Sequence, residues 1–570
     1  MFSKNKTGQL IYWSLFAIFV AGAILVRMHD FGKYPADINC DESMAAVEAM
    51  ALVENGTDHY GTPFPVYFEA WGHGQMNVLY SYLLAGFIKL FGVSTFVVRL
   101  PMLVFSLIGI AALTWMAWLV FSKEATLFVL AFAAINPWQI ITSRWALESN
   151  IFPHFLVIGT ALLFFAVKKK KLWALCLSFL IFGFSLYGYG VAYSYIAIFM
   201  VSVFLLLFFS KTFRLKELLI ATLCFFAVSW PIILMMAVNY FKLPTFSIAG
   251  ITIQFYEKTT RMGDVLFFSD NFWRQLGINF QHLWDRVILQ KMDLWWNQIP
   301  KTGTYYQISL PFLLIGLIGI SRVFNDNRKV KTWNSGAVCI AILMISILTS
   351  LINGLIINEV NVARINHIYY PIIFVTAYGI YWVFTWKKLP GFLIPIAYGA
   401  YFAFFCYRYF YSEDRTFVNY TFDKGLEKSL QAAFRTPEKI CVSMWEYRTD
   451  FQITEINTLY LLKLPYRYYS GQMSEEELIT SGYIEPYRER FHYFDNLEAA
   501  YAEFGKNCTY VINVRERDFF DQTAFQVNSH DFFSVAIPDR GNDRWSGIAG
   551  KPRPYQIRNE YGWPTWSAHL

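Results

Sequence analysis

The feature that most constrains this chain is a series of long apolar runs separated by short basic links. Runs of this length with few charges are typical of helices whose solvent is lipid, and they predict about eleven membrane crossings. They lie at 10–27, 101–121, 125–142, 151–167, 172–188, 193–209, 217–238, 308–321, 335–353, 368–385 and 390–410. We therefore predict an α-helical polytopic membrane protein.

The composition supports this class. Of the 570 residues 56% are hydrophobic, 19% are aromatic and only 16% are charged, whereas soluble domains are about one quarter charged. The net charge of +7 does not indicate a nucleic-acid partner, because the basic residues cluster in the links 168–171, 211–216, 322–331 and 387–388. This is the positive-inside pattern of a multi-pass cell-membrane protein, so we expect these links and the N-terminus to be cytoplasmic.

Placing all four basic links in the cytoplasm fixes which stretches lie outside. The number of crossings puts all four links on the cytoplasmic side only if the apolar segment 76–91 does not cross the bilayer. We therefore predict an interfacial or re-entrant helix there. If 76–91 does cross, another segment must fail to, and 125–142 is the first choice. The predicted external stretches are 28–100, 143–150, 239–305 and 354–367.

After Tyr411 the sequence becomes that of a soluble domain. We predict a membrane module over 1–410 and an extracytoplasmic α/β domain over 411–570. Cys441 and Cys508 both lie in the second part and either pair or remain free thiols, and no CxxC pair suggests a zinc or redox site. The predicted strands are Ile440–Met444, Tyr510–Val514 and Phe533–Ile537, and the predicted helices are Lys424–Phe434, Thr454–Leu462 and Leu497–Phe504.

The stretch 239–305 contains an amphipathic pattern, with Leu276, Phe280, Trp284 and Ile288 at four-residue spacing. This spacing places them on one face of a helix. Such a helix either lies flat at the membrane surface or simply connects two spans.

Adjacent carboxylates follow the first predicted span, at Asp41 and Glu42. Charge near lipid is costly and often marks a functional site. The structural alternative is a helix start, where a first-turn Asp41 favours the positive end of the helix dipole. The two interpretations are compatible, since a helix start is a rigid place for a catalytic carboxylate.

Other polar residues lie in the remaining external stretches. Carboxylates suit proton abstraction and guanidinium groups suit phosphate, and the charge pattern places Asp41, Arg144, Glu148 and Arg364 on one side of the bilayer. The residues that we single out in addition to Asp41 and Glu42 are His73, Arg99, Arg144, Glu148, Asn150, Arg364 and His367.

The order of these motifs resembles one family. An Asp-Glu pair after the first span, then Phe-Gly-x-Ser and Arg-Leu-Pro at 91–101, then Ser-Arg-x-Ala-Leu-Glu-x-Asn at 143–150, is similar to the GT-C glycosyltransferases. The nearest branch is that of the protein O-mannosyltransferases and aminoarabinose transferases. The resemblance covers about residues 10–410 and does not place the C-terminal domain.

The resemblance implies an inverting membrane glycosyltransferase. It would move a sugar from a polyprenyl-phosphate donor to an extracytoplasmic glycan, lipid or protein. The residue matching Asp41 is the general base, and residues matching Arg99, Arg144 and Glu148 shape the site. The adjacent carboxylate, Glu42, is the second residue that we predict to be catalytic, in the same proton transfer. Such a transfer needs a base for the acceptor hydroxyl and cations for the departing phosphate.

The sequence departs from that family at 71–77, where it reads Trp-Gly-His-Gly-Gln-Met-Asn in place of a basic residue followed by paired prolines. His73, Arg261 and Arg364 are the candidates for phosphate recognition instead. No pair of Asp or His residues has metal-site spacing, so we predict no obligatory cofactor. A divalent cation on the donor phosphate is compatible with the pattern.

Two other function classes compete with the enzyme. A transporter or flippase of lipid-linked saccharides should carry ionisable residues near the middle of its spans and show two related halves. Here the ionisable residues concentrate at one face and no internal repeat is present, which favours the enzyme. A non-catalytic scaffold that binds a cell-wall component is the third class.

Overall fold

The computed structural model describes residues 6–71, 74–257, 271–328, 333–357, 359–386, 391, 393–444, 451–520 and 524–539. The chain divides into two compact units. Unit 1 comprises Met1–Asp423 together with Lys463–Ser470, and unit 2 comprises Lys424–Leu462 and Gly471–Leu570. Segment 463–470 therefore returns from the C-terminal part of the chain to unit 1.

Unit 1 is mainly helical, with two short antiparallel hairpins. The hairpins are β1 (Tyr67–Ala70) with β2 (Gly74–Asn77) and β3 (Phe246–Ile248) with β4 (Ile251–Ile253). The helices are α1 (Lys6–Met28), α2 (Cys40–Asn55), α3 (Leu79–Phe91), α4 (Thr95–Val120), α5 (Lys123–Ile135), α6 (Pro137–Thr142), α7 (Glu148–Lys169), α8 (Leu172–Ser185), α9 (Ala192–Phe209), α10 (Leu215–Phe241), α11 (Phe272–Leu283), α12 (Leu310–Arg328), α13 (Ser335–Ile356), α14 (Tyr369–Phe384), α15 (Leu393–Tyr411) and α16 (Asp414–Tyr420).

Within the described residues eight helices are long and apolar enough to cross a membrane, fewer than the eleven crossings predicted. These are α1, α4, α7, α9, α10, α12, α13 and α14. The chain is a multi-pass membrane protein.

The three remaining predicted spans differ from the eight for separate reasons. The run 125–142 breaks at Asn136, because proline at 137 disfavours helical backbone in the residue before it. Helix α8 has 14 residues and therefore rises only about 21 Å. Helix α15 is long enough, but its five tyrosines and Arg408 lower its apolar character.

Helix α3 covers the segment that we predicted not to cross. It has 13 residues and is about 20 Å long, shorter than the ~30 Å hydrocarbon core. Its C-cap is Gly92, with φ 76°, a backbone conformation that glycine adopts without strain. Ser94 then caps α4 by accepting a hydrogen bond from Val97 N at 3.2 Å.

The four predicted external stretches meet one another, which places them at one end of the helical bundle. Backbone N–H and C=O groups in loops need hydrogen-bond partners outside regular secondary structure. Here some of these partners come from another of the four stretches. The joining hydrogen bonds run from Ala146 N to Glu42 Oε1 (2.8 Å), from Tyr256 Oη to Tyr67 O (2.6 Å), from Asn366 Nδ2 to Ser149 O (2.7 Å) and from Val362 N to Asp293 Oδ2 (2.6 Å).

Unit 2 contains a five-stranded sheet of order β6-β5-β7-β9-β8. Strands β5, β6 and β7 are parallel, and β9 and β8 add antiparallel at one edge. The strands are β5 (Lys439–Ser443), β6 (Phe491–Phe494), β7 (Cys508–Asn513), β8 (Phe525–His530) and β9 (Phe533–Pro538), and the helices are α17 (Leu426–Phe434), α18 (Phe451–Leu461), α20 (Glu475–Thr480), α21 (Tyr487–Arg490) and α22 (Leu497–Phe504), with α19 (Tyr466–Tyr469) in unit 1.

The six elements predicted for the C-terminal part are confirmed within a few residues of their ends. Of the two alternatives for its cysteines, pairing is the one observed: Cys441 and Cys508 form a disulfide between neighbouring strands. Strand β7 is buried along its full length, as expected of a central strand covered on both faces.

Candidate active site

The site is built around the start of helix α2. Asn39 is the N-cap, and its side chain accepts a hydrogen bond from Asp41 N at 3.0 Å. Glu42 completes a capping box by accepting from Asn39 N at 3.2 Å. Asp41 therefore lies in the first turn, where the helix dipole favours an ionised carboxylate, and its side chain is half-buried. The helix-start interpretation is therefore confirmed, and the catalytic interpretation of Asp41 stays a prediction.

Glu42 is enclosed, in contrast to its neighbour. Its side chain is fully buried, and Oε1 accepts from Arg99 Nε and from Ala146 N, both at 2.8 Å. Oε2 accepts from Arg99 Nη2 at 2.7 Å. Both carboxylate oxygens therefore hold parts of the protein together, namely α2, α4 and the loop before α7.

Arg99 braces the loop that leads into α2. Besides pairing with Glu42, its guanidinium donates to Pro35 O at 2.7 Å and to Asp37 O at 2.9 Å. It also lies over the ring of Phe422, 5.5 Å from the centroid. Four of its five N–H donors thus make hydrogen bonds inside the protein.

Arg144 caps helix α1. Its Nη1 donates to Arg27 O at 2.8 Å and its Nη2 to Tyr34 O at 2.9 Å. A cation at a helix C-terminus satisfies free carbonyls and complements the dipole. The side chain is fully buried, so the structure uses it to join α1 to the loop after α6.

A second polar cluster lies at the start of α7. Glu148 accepts a hydrogen bond from Asn77 N at 2.5 Å, and Asn150 Oδ1 lies 3.4 Å from Asn366 Nδ2. His367 is fully buried between the rings of Phe152 and Tyr195, and neither ring nitrogen has a hydrogen-bond partner among the described residues. This cluster connects the 143–150 stretch to the 354–367 stretch.

Arg364 is the predicted phosphate ligand that remains partly open to solvent. Its side chain is 26% exposed and lies 3.3 Å from the carboxylate of Glu359, which is itself 71% exposed. Its backbone nitrogen donates to Asn361 Oδ1 at 2.9 Å. His73 and Arg261, the other two candidates, lie outside the described residues.

Two residues that the sequence did not single out hold the site from far along the chain. Asn419 Oδ1 accepts from Ala36 N at 2.9 Å, and Thr421 O accepts from Asn39 Nδ2 at 3.1 Å. These contacts fasten the entrance of α2 to the segment after α15, which we assigned to the C-terminal domain. No local sequence pattern predicts these contacts, because the partners are more than 380 residues apart.

Glu48 was also missed, although its spacing offered a signal. It follows Asp41 by seven residues, so both lie on one face of α2. Its oxygens accept from His59 N at 2.9 Å and pair with His59 Nδ1 at 2.7 Å. Nearby, burial and the Glu48 carboxylate raise the pKa of Asp58 to about 6. This part of the site is therefore acidic and enclosed.

Among the described residues, no group of three or more His, Cys, Asp or Glu side chains is arranged to hold a metal ion. The chemistry that these residues can perform on their own is proton transfer at a carboxylate, together with hydrogen bonding and charge stabilisation at a guanidinium.

No family model and no curated protein matches this chain. Solved structures do. ArnT from Cupriavidus metallidurans in the apo state matches with a TM-score of 0.52 and 11% identity, covering 91% of this chain and 97% of that one. The same protein bound to undecaprenyl phosphate matches with a TM-score of 0.51 and 12% identity, covering 93% and 98%. The predicted fold is confirmed: this chain has the GT-C fold of ArnT over nearly its whole length.

Proposed function

We propose that this protein is an inverting glycosyltransferase of the cell membrane that takes a sugar from a polyprenyl-phosphate donor. The observation that carries the proposal is the placement of Asp41. A half-buried carboxylate stands in the first turn of a helix whose start is held by Glu42, Arg99 and Asn419. A base fixed in this way contributes on the order of 10²–10⁴-fold to proton transfer.

The reaction follows from these groups. Asp41 takes the proton of an acceptor hydroxyl, and the hydroxyl oxygen forms a bond to the anomeric carbon from the side opposite the phosphate. The bond between that carbon and the phosphate oxygen breaks, and its electron pair leaves with the polyprenyl phosphate. Arg364, with His73 and Arg261, stabilises the charge that develops on the phosphate.

The remaining predicted site residues have supporting roles in this proposal. Both oxygens of Glu42 are occupied, so we assign it to positioning Asp41 and not to the proton transfer that the sequence suggested. We give Arg99 and Arg144 the same kind of role, because their donors bind backbone carbonyls. Glu148, Asn150 and His367 hold the 143–150 and 354–367 stretches in place in this proposal. A divalent cation on the donor phosphate is compatible with the scheme and not required by it.

One observation supports the class of donor, and a second supports the extracytoplasmic side. One ArnT structure contains undecaprenyl phosphate, the class of lipid carrier that we propose for this chain. The Cys441–Cys508 disulfide is typical of proteins in oxidising compartments, which agrees with a C-terminal domain outside the cytoplasm. The acceptor that we propose is a bacterial surface glycan, with lipid or protein as the other classes.

The test uses the full chain in lipid nanodiscs and a panel of radiolabelled polyprenyl-phosphate sugars. Asp41→Asn should lower the transfer rate at least about 10²-fold without changing the thermal midpoint. Glu54→Gln is the matched control, since Glu54 lies at the exposed end of the same helix and should leave the rate unchanged. Transfer that survives Asp41→Asn would remove the proposed base, and a wild-type protein inactive on every donor would remove the proposed function.

Sidedness is tested separately by cysteine accessibility in cells. Lys170→Cys lies in a basic link and should react only with reagent that reaches the cytoplasm. Gln472→Cys lies in unit 2 and should react with an impermeant reagent from outside. The opposite result at either position would put the Asp41 loop on the wrong side of the bilayer for this donor.

A further inference from the structure

Helix α11 carries an exposed stripe of large aromatic side chains. Trp273 is 80% exposed, Phe280 is 61% exposed and Trp284, in the π-helical turn Trp284–Ile288 that follows, is 50% exposed. They stand at positions i, i+7 and i+11, which lie on one face of a helix. The stripe shares Phe280 and Trp284 with the predicted one, whereas the predicted Leu276 and Ile288 are half-buried.

The side of the helix that carries Asn279 and Leu283 faces the protein. Asn279 is fully buried and donates Nδ2 to Leu355 O at 2.9 Å and to Ile357 O. Leu283 is buried one turn further on and packs against Gly354, where an added Cβ would lie 2.7 Å from its Cδ2. The side-chain amide of Asn279 therefore anchors α11 to the end of α13, and the aromatic face of α11 stays exposed.

The exposed side has a second, polar boundary. Arg274 and Gln281 are both exposed and, at about 100° per residue, lie roughly a quarter-turn round the helix from the aromatic stripe. One edge of the exposed surface is therefore apolar and aromatic, and the other is polar. Three large aromatic side chains exposed on one face of a helix form an apolar surface of the kind that marks a binding surface.

We infer that the aromatic face of α11 is a membrane-binding surface that inserts at the boundary between lipid headgroups and acyl chains. Tryptophan and phenylalanine beside a polar face are the composition of interfacial helices. The location agrees, because α11 packs against the end of α13, one of the helices able to cross the membrane. The occupant is thus the bilayer, continuous with the lipid around α13.

The same helix is fastened to both ends of the loop that carries Arg364. Asn279 binds carbonyls 355 and 357 on one side. On the other side Asp293, shortly after the π turn, accepts from Val362 N at 2.6 Å and lies 3.7 Å from Arg286. The depth of α11 in the interface therefore sets the height of the Arg364 loop above the bilayer. This part rests on the proposed role of Arg364 in binding the lipid phosphate.

Cross-linking tests the surface without any activity. The photoreactive residue p-benzoylphenylalanine replaces Trp273, Phe280 or, as the control on the polar edge, Gln281. The full chain is placed in nanodiscs of phosphatidylethanolamine and phosphatidylglycerol, irradiated and analysed by mass spectrometry. We expect phospholipid adducts at 273 and 280 and none at 281. No adduct at 273, an adduct chiefly at 281, or a cross-link to a second copy would each overturn the inference.

Kinetics test the link to Arg364. Trp273→Gln combined with Trp284→Gln should raise the KM for a long-chain polyprenyl-phosphate donor several-fold and leave the KM for a short, water-soluble analogue unchanged. Gln281→Ala should change neither. Equal effects on both donors, or none on either, would overturn the link. If the wild-type protein transfers no sugar, the proposed function fails while the lipid adducts still decide the membrane surface.

Discussion

Glu42 and Arg99 form a bidentate ion pair that is closed to solvent. The distances are 2.8 Å from Nε to Oε1 and 2.7 Å from Nη2 to Oε2, and both side chains are fully buried. The pair joins residues 57 positions apart and fixes the start of α2 against α4. Each of the two charges is costly to bury without the other. Both side chains are therefore needed to hold the backbone around Asp41 in place.

Breaking this pair should destabilise the membrane unit strongly. Arg99→Met leaves the Glu42 carboxylate buried without its cation, a change that typically costs about 3–5 kcal/mol. The double variant Glu42→Gln with Arg99→Met removes both charges and should recover part of that loss. Thermal unfolding in nanodiscs measures both. If the two single effects simply add in the double variant, the two side chains are not coupled and the pair does not act as a unit.

Substitutions of Arg144 and Arg364 should affect different properties of the protein. Arg144→Gln loses hydrogen bonds to the carbonyls of Arg27 and Tyr34, so it should lower the thermal midpoint and leave donor affinity in the folded protein unchanged. Arg364→Gln should weaken donor binding and leave the thermal midpoint unchanged. Hydrogen bonds to charged groups contribute about 1.5–3 kcal/mol, which predicts a donor Kd raised about 10- to 100-fold. Equilibrium binding of a polyprenyl phosphate measures it, and weakened binding in Arg144→Gln alone would exchange the two assignments.

Asp58 should give the protein a pH-dependent stability. Burial first, and the Glu48 carboxylate second, raise its pKa to about 6, above the ~3.9 of an unfolded aspartate. The folded state therefore holds the proton more tightly, so the cost of ionising Asp58 is absent below about pH 4 and complete above about pH 6. This group makes stability fall as the pH rises through that window.

Asp58→Asn should remove that cost. The asparagine oxygen can still accept from Tyr60 N and Thr62 N, the bonds that Asp58 Oδ1 makes at 3.0 and 2.7 Å. We expect a gain of about 3 kcal/mol at pH 7, from a shift of about two pKa units, and no gain at pH 4. Thermal midpoints between pH 4 and 7 measure it. A gain independent of pH would mean that the charge of Asp58 is not the cause.

The parts of the site that could be predicted are those with local causes. Asp41 in the first turn of a helix follows from a carboxylate pair before an apolar run, since the helix dipole acts within one turn. The break of the run 125–142 at Asn136 has an equally local cause, because proline at 137 disfavours helical backbone in the residue before it. Both features depend on residues a few positions apart.

The roles of the arginines could not be predicted in this way. A guanidinium near a site suits phosphate, but it suits helix carbonyls equally well. Arg144 reaches carbonyls 110 and 117 residues away, and Arg99 reaches carbonyls 62 and 64 residues away. Which partner is met depends on the packing of the whole bundle. Sequence identifies the group able to bind an anion, and only the fold shows whether its donors are already used.

The contact between α12 and α14 should be intolerant of even one added methyl group. A Cβ built on Gly379 would lie 1.9 Å from Phe312 O and 2.8 Å from Gly316 N, because the two backbones approach directly, as small residues permit between membrane helices. Gly379→Ala must therefore push rigid backbone apart, and we expect a loss of more than about 1–3 kcal/mol and a much lower yield of folded protein. Gly399→Ala is the matched control on α15, since nothing lies within 4 Å of its Cβ position. Size-exclusion profiles and thermal midpoints compare the two, and equal behaviour would show that the helices do not touch at Gly379.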